Sequence, residues 1–179
     1  MLSRLTGSLS AAALALLIAL PAAQAAPAGK PEIYGWIEEG RLLPENVTVK
    51  TKLDTGALTS SLDARELERF DKNGEQWVRF KVEVTDSDTG KQVSIPFERR
   101  IERNIKVRGA GGAEGRPVVL MQMCIGNQVL DEQFSLNDRG DMLYPVLIGR
   151  RTLEHLGAVD VSRTFTHKPS CPGAKAQKK

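Results

Sequence analysis

The chain has 179 residues, with 25 Lys and Arg against 22 Asp and Glu, a net charge of +3, 41% apolar residues and 26% charged residues. That balance excludes a disordered or collagen-like chain, and the length suits one domain that needs no metal or disulfide lattice to fold. The small positive charge is scattered among acids and forms no stripe of the kind nucleic acid requires.

Residues 1–25 read as a secretory signal peptide. Arg4 supplies the positive start, Leu9–Leu20 is an apolar run broken only by Ser10, Pro21 stops it, and Ala23-Gln24-Ala25 has the small-x-small form of a cleavage site. As a helix the apolar run spans about 18 Å, short of the about 30 Å of a hydrocarbon core, so an anchor is not expected. No Cys follows it, so neither is a lipoprotein. The mature product is expected to be soluble and exported to a bacterial periplasm. Residues 26–32 read as a linker, 33–166 as the folded domain, and 167–179, rich in Pro, Gly and Lys, as a flexible tail.

Tyr34–Glu38 reads as a strand ended by a turn at Gly40. Val47–Leu53 alternates Val47, Val49, Thr51 and Leu53 on one side, the period of a strand. Asp54-Thr55-Gly56-Ala57 breaks it, and Ser61 or Asp63 is placed to cap a short helix over Ala64–Phe70. Asp71–Gly74 is a turn. Trp77–Thr85 and Gln92–Phe97 form a hairpin across Asp86–Gly90. Ile105–Val107 leads into the glycine-rich Gly109–Gly115, and Val118–Ile125 and Gln128–Leu136 flank a two-residue turn at Gly126-Asn127. Asp138–Asp141 is a loop. Tyr144–Ile148 is a buried strand, Gly149 starts a helix to about His155, and Val159–Phe165 is the last strand. Short strands with two short helices make an all-β chain, a closed or partly closed barrel.

Cys124 and Cys171 allow one disulfide in an oxidising compartment. The composition of the tail around Cys171 favours the other reading, a buried small residue at Cys124 and an exposed thiol at Cys171.

The sharpest chemical signal is Asp54-Thr55-Gly56-Ala57 directly after an apolar strand, which presents a carboxylate at the surface of a barrel; Gly56 allows close backbone approach. Such a triplet alone usually makes only a turn. Downstream, Leu147-Ile148-Gly149-Arg150 supplies an apolar pair, a glycine and a helix start. Between them lies the glycine-rich segment containing Gly109, Gly111 and Gly112, followed by Glu114 and Arg116, with the composition of a mobile hairpin.

In this order the three pieces resemble the retropepsins, the retroviral-type aspartic peptidases. The run Lys52–Leu62, with Gly35-Trp36, Glu114-x-Arg116-Pro117-Val118-Val119 and Tyr144–Arg150, is more narrowly similar to a bacterial retropepsin-like family labelled an ATP-dependent zinc protease and often encoded near RimK-type ligases. The resemblance spans Ile33 to Phe165 and implies an acid-protease barrel with a β-hairpin flap. It implies Asp54 as the catalytic residue, Thr55, Gly56, Ala57, Leu147, Ile148 and Gly149 as the active-site frame, and Gly109, Gly111, Gly112, Glu114 and Arg116 as flap and substrate-binding positions. Compared with a minimal retropepsin, the Trp77–Phe97 hairpin is an insertion.

Two departures stand out. Where viral retropepsins place an Asp that pairs the helix Arg, this chain has Leu58, so Arg150 needs another partner, Asp160 or a chain-end group. The zinc and ATP of the family label find no counterpart: His155, His167, Cys124 and Cys171 lack ligand spacing, and no phosphate loop is present, so no cofactor and no metal is expected. His155 reads as a helix-end residue beside carbonyls.

Aspartic peptidase chemistry needs two carboxylates that share a proton, and this chain holds one Asp-Thr-Gly. A two-fold homodimer that contributes one Asp54 from each chain meets that need. The expected activity is therefore exported peptide or amide hydrolysis, acting on a peptide or protein substrate, with a membrane protein of the envelope as a further candidate partner. The alternative is a non-catalytic peptide- or partner-binding periplasmic module on the same frame. Glu114 with Arg116, and Arg139 near Asp141, are candidates to touch substrate, against a reading of each as a plain surface pair.

Overall fold

The computed structural model describes residues 31–109, 112–140 and 142–171, which form eleven strands and one helix. The signal peptide and most of the linker, at residues 1–30, lie outside the described residues, as do Gly111, Asp141 and residues 172–179.

The strands are β1 (Ile33–Leu43), β2 (Val47–Leu53), β3 (Ser60–Asp63), β4 (Arg65–Lys72), β5 (Glu75–Thr85), β6 (Gln92–Arg100), β7 (Arg103–Gly109), β8 (Gly112–Ile125), β9 (Gln128–Asn137), β10 (Val146–Ile148) and β11 (Ala158–Thr164); α1 is Arg150–Leu156. Strands β1, β2, β10, β3, β9 and β8 pair in that order, and β8 pairs back onto β1, closing a mixed barrel. The β10–β2 and β3–β9 contacts are parallel, the others antiparallel. Closure leaves the ring itself no free edge. β11 adds in parallel to β1, and β7 returns from β8 as an antiparallel hairpin outside the ring.

Closure depends on β1 being long enough to pair with two neighbours. It meets β2 at Ile37–Leu42 and β8 at Gly40–Leu43. The turn expected at Gly40 is absent, because β1 runs straight through it. A Cβ at Gly40 would sit 2.8 Å from Met123 Cε and 2.9 Å from Thr51 Oγ1, so here glycine serves close packing inside the barrel. The chain reverses instead at Pro44–Asn46, after a cis Leu43–Pro44 bond.

The helix expected over Ala64–Phe70 is strand β4. Its Arg, Glu and Leu favour a helix locally, but Asn73 and Gly74 both take positive φ (54° and 79°) and turn the chain tightly back into β5. The turn sets the register Lys72↔Glu75, and β4 then lies along β5 as an outer strand. Tertiary pairing overrides local propensity. The other expected helix forms, so α1 is the one helix among the described residues.

β4, β5 and β6 make a second, three-stranded sheet, in which β5 and β6 form the hairpin expected across Asp86–Gly90. Val78, Phe80, Val82 and Val84 alternate into the core from β5, and Ile95 and Phe97 from β6; Phe80 and Phe97 stack at 5.4 Å. They join Leu62, Ala64, Val119 and Met121 in one continuous core. Burial of this kind is worth about 1.5–3 kcal/mol per large side chain and carries most of the stability.

Residues 166–171 are fastened to the barrel, in contrast to the flexibility expected from residue 167 onward; the rest of that tail lies outside the described residues. Glu38 is fully buried, and its carboxylate accepts the backbone N–H of Gly35 (2.6 Å), Thr166 (3.0 Å) and His167 (3.0 Å) and the Thr166 hydroxyl. The Ser170 amide donates to Gly126 O (2.7 Å), and Cys171 is bonded to Cys124 with Cα atoms 6.0 Å apart. The disulfide forms because the buried Glu38 carboxylate draws the segment in, an interaction between residues 128 apart that tail composition does not reveal. Replacing Cys171 by Ser should lower stability by about 2–4 kcal/mol, read as a fall in Tm in non-reducing buffer, because the crosslink restricts the unfolded chain.

Candidate active site

Strand β2 delivers Asp54 to the surface. Its inward residues Val49, Thr51 and Leu53 are buried, so Lys52 and Asp54 share the opposite side of the strand. The Asp54 amide donates to Ile148 O (2.8 Å), which ties the loop to β10 as soon as the strand ends. Asp54 Oδ1 accepts the Gly56 amide (2.9 Å), and a Cβ at Gly56 would lie 3.2 Å from that oxygen. Asp54 Oδ2 accepts from Lys52 Nζ at 3.1 Å.

The second part of the frame lies directly beneath. Leu147 and Ile148 pair with Lys52 and Leu53, and Gly149 follows. A Cβ at Gly149 would stand 2.8 Å from Thr59 C and 3.0 Å from Leu58 C, so the chain can pass here only without a side chain. The Gly149 amide donates to Ser60 Oγ (3.0 Å), and Ser60 Oγ also meets Thr152 Oγ1 at 2.8 Å. The amides of Arg150 and Arg151 donate to Ala57 O (2.8 Å) and Leu58 O (3.3 Å). Helix α1 has no side-chain cap, and the Asp54 loop supplies its cap instead.

Sequence reasoning placed Asp54, Thr55, Gly56, Ala57, Leu147, Ile148 and Gly149 in one site, and these bonds bring them together. Arg150 was expected to meet Asp160 or a chain-end group; its Nη1 donates to Thr55 O (3.2 Å), and the chain ends lie outside the described residues. Asp160 bonds Ser162 instead. With Leu58 at the position where a carboxylate was expected, Arg150 steadies the loop through a backbone carbonyl. Thr55 is exposed, and among the described residues its hydroxyl has no partner.

The flap is the β7–β8 hairpin, closing at Gly109↔Gly112. Gly111 lies outside the described residues. On β8, Arg116 Nε and Nη2 both donate to Glu114 Oε2, at 2.9 and 2.7 Å, forming the expected pair. At the base of the flap, Arg103 donates to Gln133 Oε1 (2.8 Å) and Thr59 Oγ1 (3.3 Å). His155 stands in the last turn of α1, as expected of a helix-end residue, with Nδ1 2.6 Å from Glu132 Oε1.

Electrostatics single out Asp54. Partial burial pushes its carboxyl upward, but the Lys52 bond and the Gly56 amide outweigh it and hold the carboxyl below the ordinary range. Sequence reasoning missed Lys52, although its place two residues before Asp54 on a strand was the signal. Arg139 is buried at 7% exposure and feels the charge of Asp63 first, then those of Arg116 and Asp54. Among the described residues no group of three or more His, Cys, Asp or Glu could hold a metal ion, so the donor set does not fit the zinc of the family label.

The family described as retropepsin-like aspartic endopeptidase RimB matches residues 33–170. The chain belongs to this RimB-like family. Probable alpha-L-glutamate ligases of Shewanella pealeana (strain ATCC 700345 / ANG-SQ1) and Desulfotalea psychrophila (strain LSv54 / DSM 12343) are 30% and 29% identical to the RimB-like chain over 119 and 106 residues. Those matches cover 65% and 59% of this chain but 25% and 22% of the ligases, so the chain spans about a quarter of the length of these curated relatives. A crystal structure of Lpg0085, a protein of unknown function from Legionella pneumophila subsp. pneumophila str. Philadelphia 1, is similar at 34% identity and a TM-score of 0.65, over 79% of this chain and 100% of that one.

A group whose folded pKa is depressed adds stability above its unfolded pKa and loses it as pH falls through the folded value. Asp54 is such a group. Replacing Lys52 by Met should raise the folded Asp54 pKa toward its unfolded value, so that this acid-side loss becomes smaller and is complete at a higher pH. A carboxylate titration followed by NMR in the two proteins would check this; an unchanged midpoint would contradict the role given to Lys52.

Proposed function

We propose that this RimB-like chain is an exported aspartic endopeptidase, active as a two-fold homodimer in which each protomer gives one Asp54. The observation that carries the reading is the seating of Asp54: a surface carboxylate oriented by the Gly56 amide and tied to Ile148, above a Gly149 passage. The signal-like Arg4–Ala25 supports export to the periplasm.

In the dimer one Asp54 is ionised and its twin protonated, because two carboxylates in contact cannot both ionise cheaply. The ionised Asp54 takes a proton from water as the water oxygen bonds to the scissile carbonyl carbon. The protonated Asp54 gives its proton to the carbonyl oxygen. The tetrahedral intermediate then collapses: the C–N bond breaks, the amine leaves with a proton, and the pair returns to its shared-proton state. The Thr55 hydroxyl, exposed and without a partner among the described residues, is available to bind across the axis. The Gly109–Gly112 hairpin would close over substrate and exclude water. The twin carboxylate raises the pKa that Lys52 lowers, so the two influences together set the working pH.

The curated relatives are named as α-L-glutamate ligases, which suggests α-glutamyl peptide bonds as the substrate class. The cations Arg103, Lys106 and Arg116 on the flap strands support an acidic peptide. A second reading, a peptide-binding module without turnover, is favoured by one observation: in a single chain Asp54 is already paired with Lys52.

The chain starting at Ala26 should cleave glutamate-rich peptides as a dimer. Asp54→Asn should keep the circular dichroism spectrum and lose at least about 1,000-fold in kcat/KM. A statine-type transition-state mimic should inhibit. Full activity in Asp54→Asn, or cleavage by a species that sediments as a monomer, would exclude the shared dyad. Peptide binding without turnover would establish the second reading.

A further inference from the structure

Around Asp54 several charged groups pair with one another. Asp54 has Lys52, Arg116 has Glu114, and Arg65 bridges Asp63 (3.3 Å) and Asp138. Arg139 has no side-chain partner among the described residues. Its Nε donates to Tyr144 O (3.2 Å), and its backbone amide, not its guanidinium, takes Asp63 Oδ1 (2.6 Å). Both terminal nitrogens are left uncommitted on a residue 7% exposed.

Neither terminal nitrogen is among the buried polar atoms left without a partner, so both are within reach of solvent or a ligand. A guanidinium stays charged, and a buried charge is normally paired and hydrogen-bonded. Burial pushes the Arg139 guanidinium down from its usual value, the charge of Arg116 adds to this, and the charges of Asp63 and Asp54 oppose it. The position is built, not accidental. The Arg139 amide is pinned by Asp63, and its carbonyl accepts the Met142 amide (2.7 Å). Gly140 takes the Asp138 carboxylate through its amide (3.0 Å), and a Cβ there would overlap the Arg65 guanidinium. The backbone on both sides of Arg139 is thus held before any ligand arrives.

Arg139 lines a cavity of about 630 Å³ with Asp63, Arg65, Gly140, Met142 and Leu143. Asp54 is not in that lining, yet its charge and that of Arg116 act on Arg139.

We infer that Arg139 is a specificity-determining residue, whose two free terminal nitrogens bind a carboxylate of the peptide lying beside Asp54. A planar fork with uncommitted N–H groups matches a carboxylate in two parallel hydrogen bonds. The inference rests on the peptidase reading for the nature of the ligand. The carboxylate has two sources, a glutamyl side chain or the peptide's C-terminus.

The test separates binding from cleavage. In Asp54→Asn, which holds peptide without hydrolysing it, affinities for a short oligoglutamate and its oligoglutamine counterpart are measured by calorimetry, each with a free and an amidated C-terminus. The carboxylate peptide should bind more tightly, and adding Arg139→Met should weaken it about 10- to 100-fold while leaving the fully neutral peptide unchanged. Loss of affinity on Glu-to-Gln exchange assigns the side-chain source, and loss on amidation alone assigns the terminal one. Arg139→Lys keeps the charge without the fork and should retain the fold and lose several-fold in discrimination, which decides the matter if Arg139→Met melts early. Equal affinity for the carboxylate and neutral peptides, or unchanged discrimination in both Arg139 variants, would overturn the inference. A chain that discriminates carboxylates through Arg139 but never hydrolyses them would overturn the peptidase reading alone; hydrolysis indifferent to Arg139 would overturn this inference alone.

Discussion

The passage of β10 into α1 beneath the Asp54 loop is the contact on which the site depends. Gly149 runs at van der Waals distance from the backbone of Leu58 and Thr59, closer than any side chain permits. That proximity lets the bonds of the frame form: Asp54 amide to Ile148, Arg150 amide to Ala57, Gly149 amide to Ser60, and Arg150 guanidinium to Thr55. Each partner satisfies a group that the other would leave bare. The loop caps a helix without its own cap, and the helix start stiffens a loop that would otherwise be a simple turn. Asp54 gains a fixed direction from this exchange, which matters because catalytic geometry tolerates little misplacement.

The barrel exists to hold that exchange rigid. The parallel β10–β2 contact and the antiparallel β10–β3 contact place a three-residue strand between the two arms of the Asp54 loop. So short a strand has little stability of its own. It is ordered by closure around it, from β1 through β8, and by a core that continues into the β4–β6 sheet. At the other end of β1, the buried Glu38 carboxylate collects the C-terminal segment, and the Cys124–Cys171 bond fastens it. A buried carboxylate is tolerated there because backbone amides and a hydroxyl meet its oxygens.

The charges around the site follow one pattern and one departure from it. Lys52, Glu114 and Arg65 each hold an opposite charge within 3.3 Å, which keeps the region near neutrality. Arg139 stands apart from those pairs: its Nε meets Tyr144 O, and its terminal nitrogens hold no partner among the described residues.

The sequence by itself determined the class, the frame and the family. Period-two alternation marked β2 and β5, Asn73-Gly74 and Gly126-Asn127 marked turns, and Asp54–Ala57 with Leu147–Gly149 marked the two halves of the site. Those signals are local or are paired motifs in fixed order, and so survive in one dimension. Tertiary structure alone decided that Arg65–Lys72 is a strand, that β1 runs through Gly40, that Arg150 holds Thr55, and that Cys171 reaches Cys124. The reason is the same in each case. The deciding energy comes from a partner far along the chain — β5 for β4, Met123 for Gly40, Glu38 for the C-terminal segment — and local propensities are too weak to oppose it.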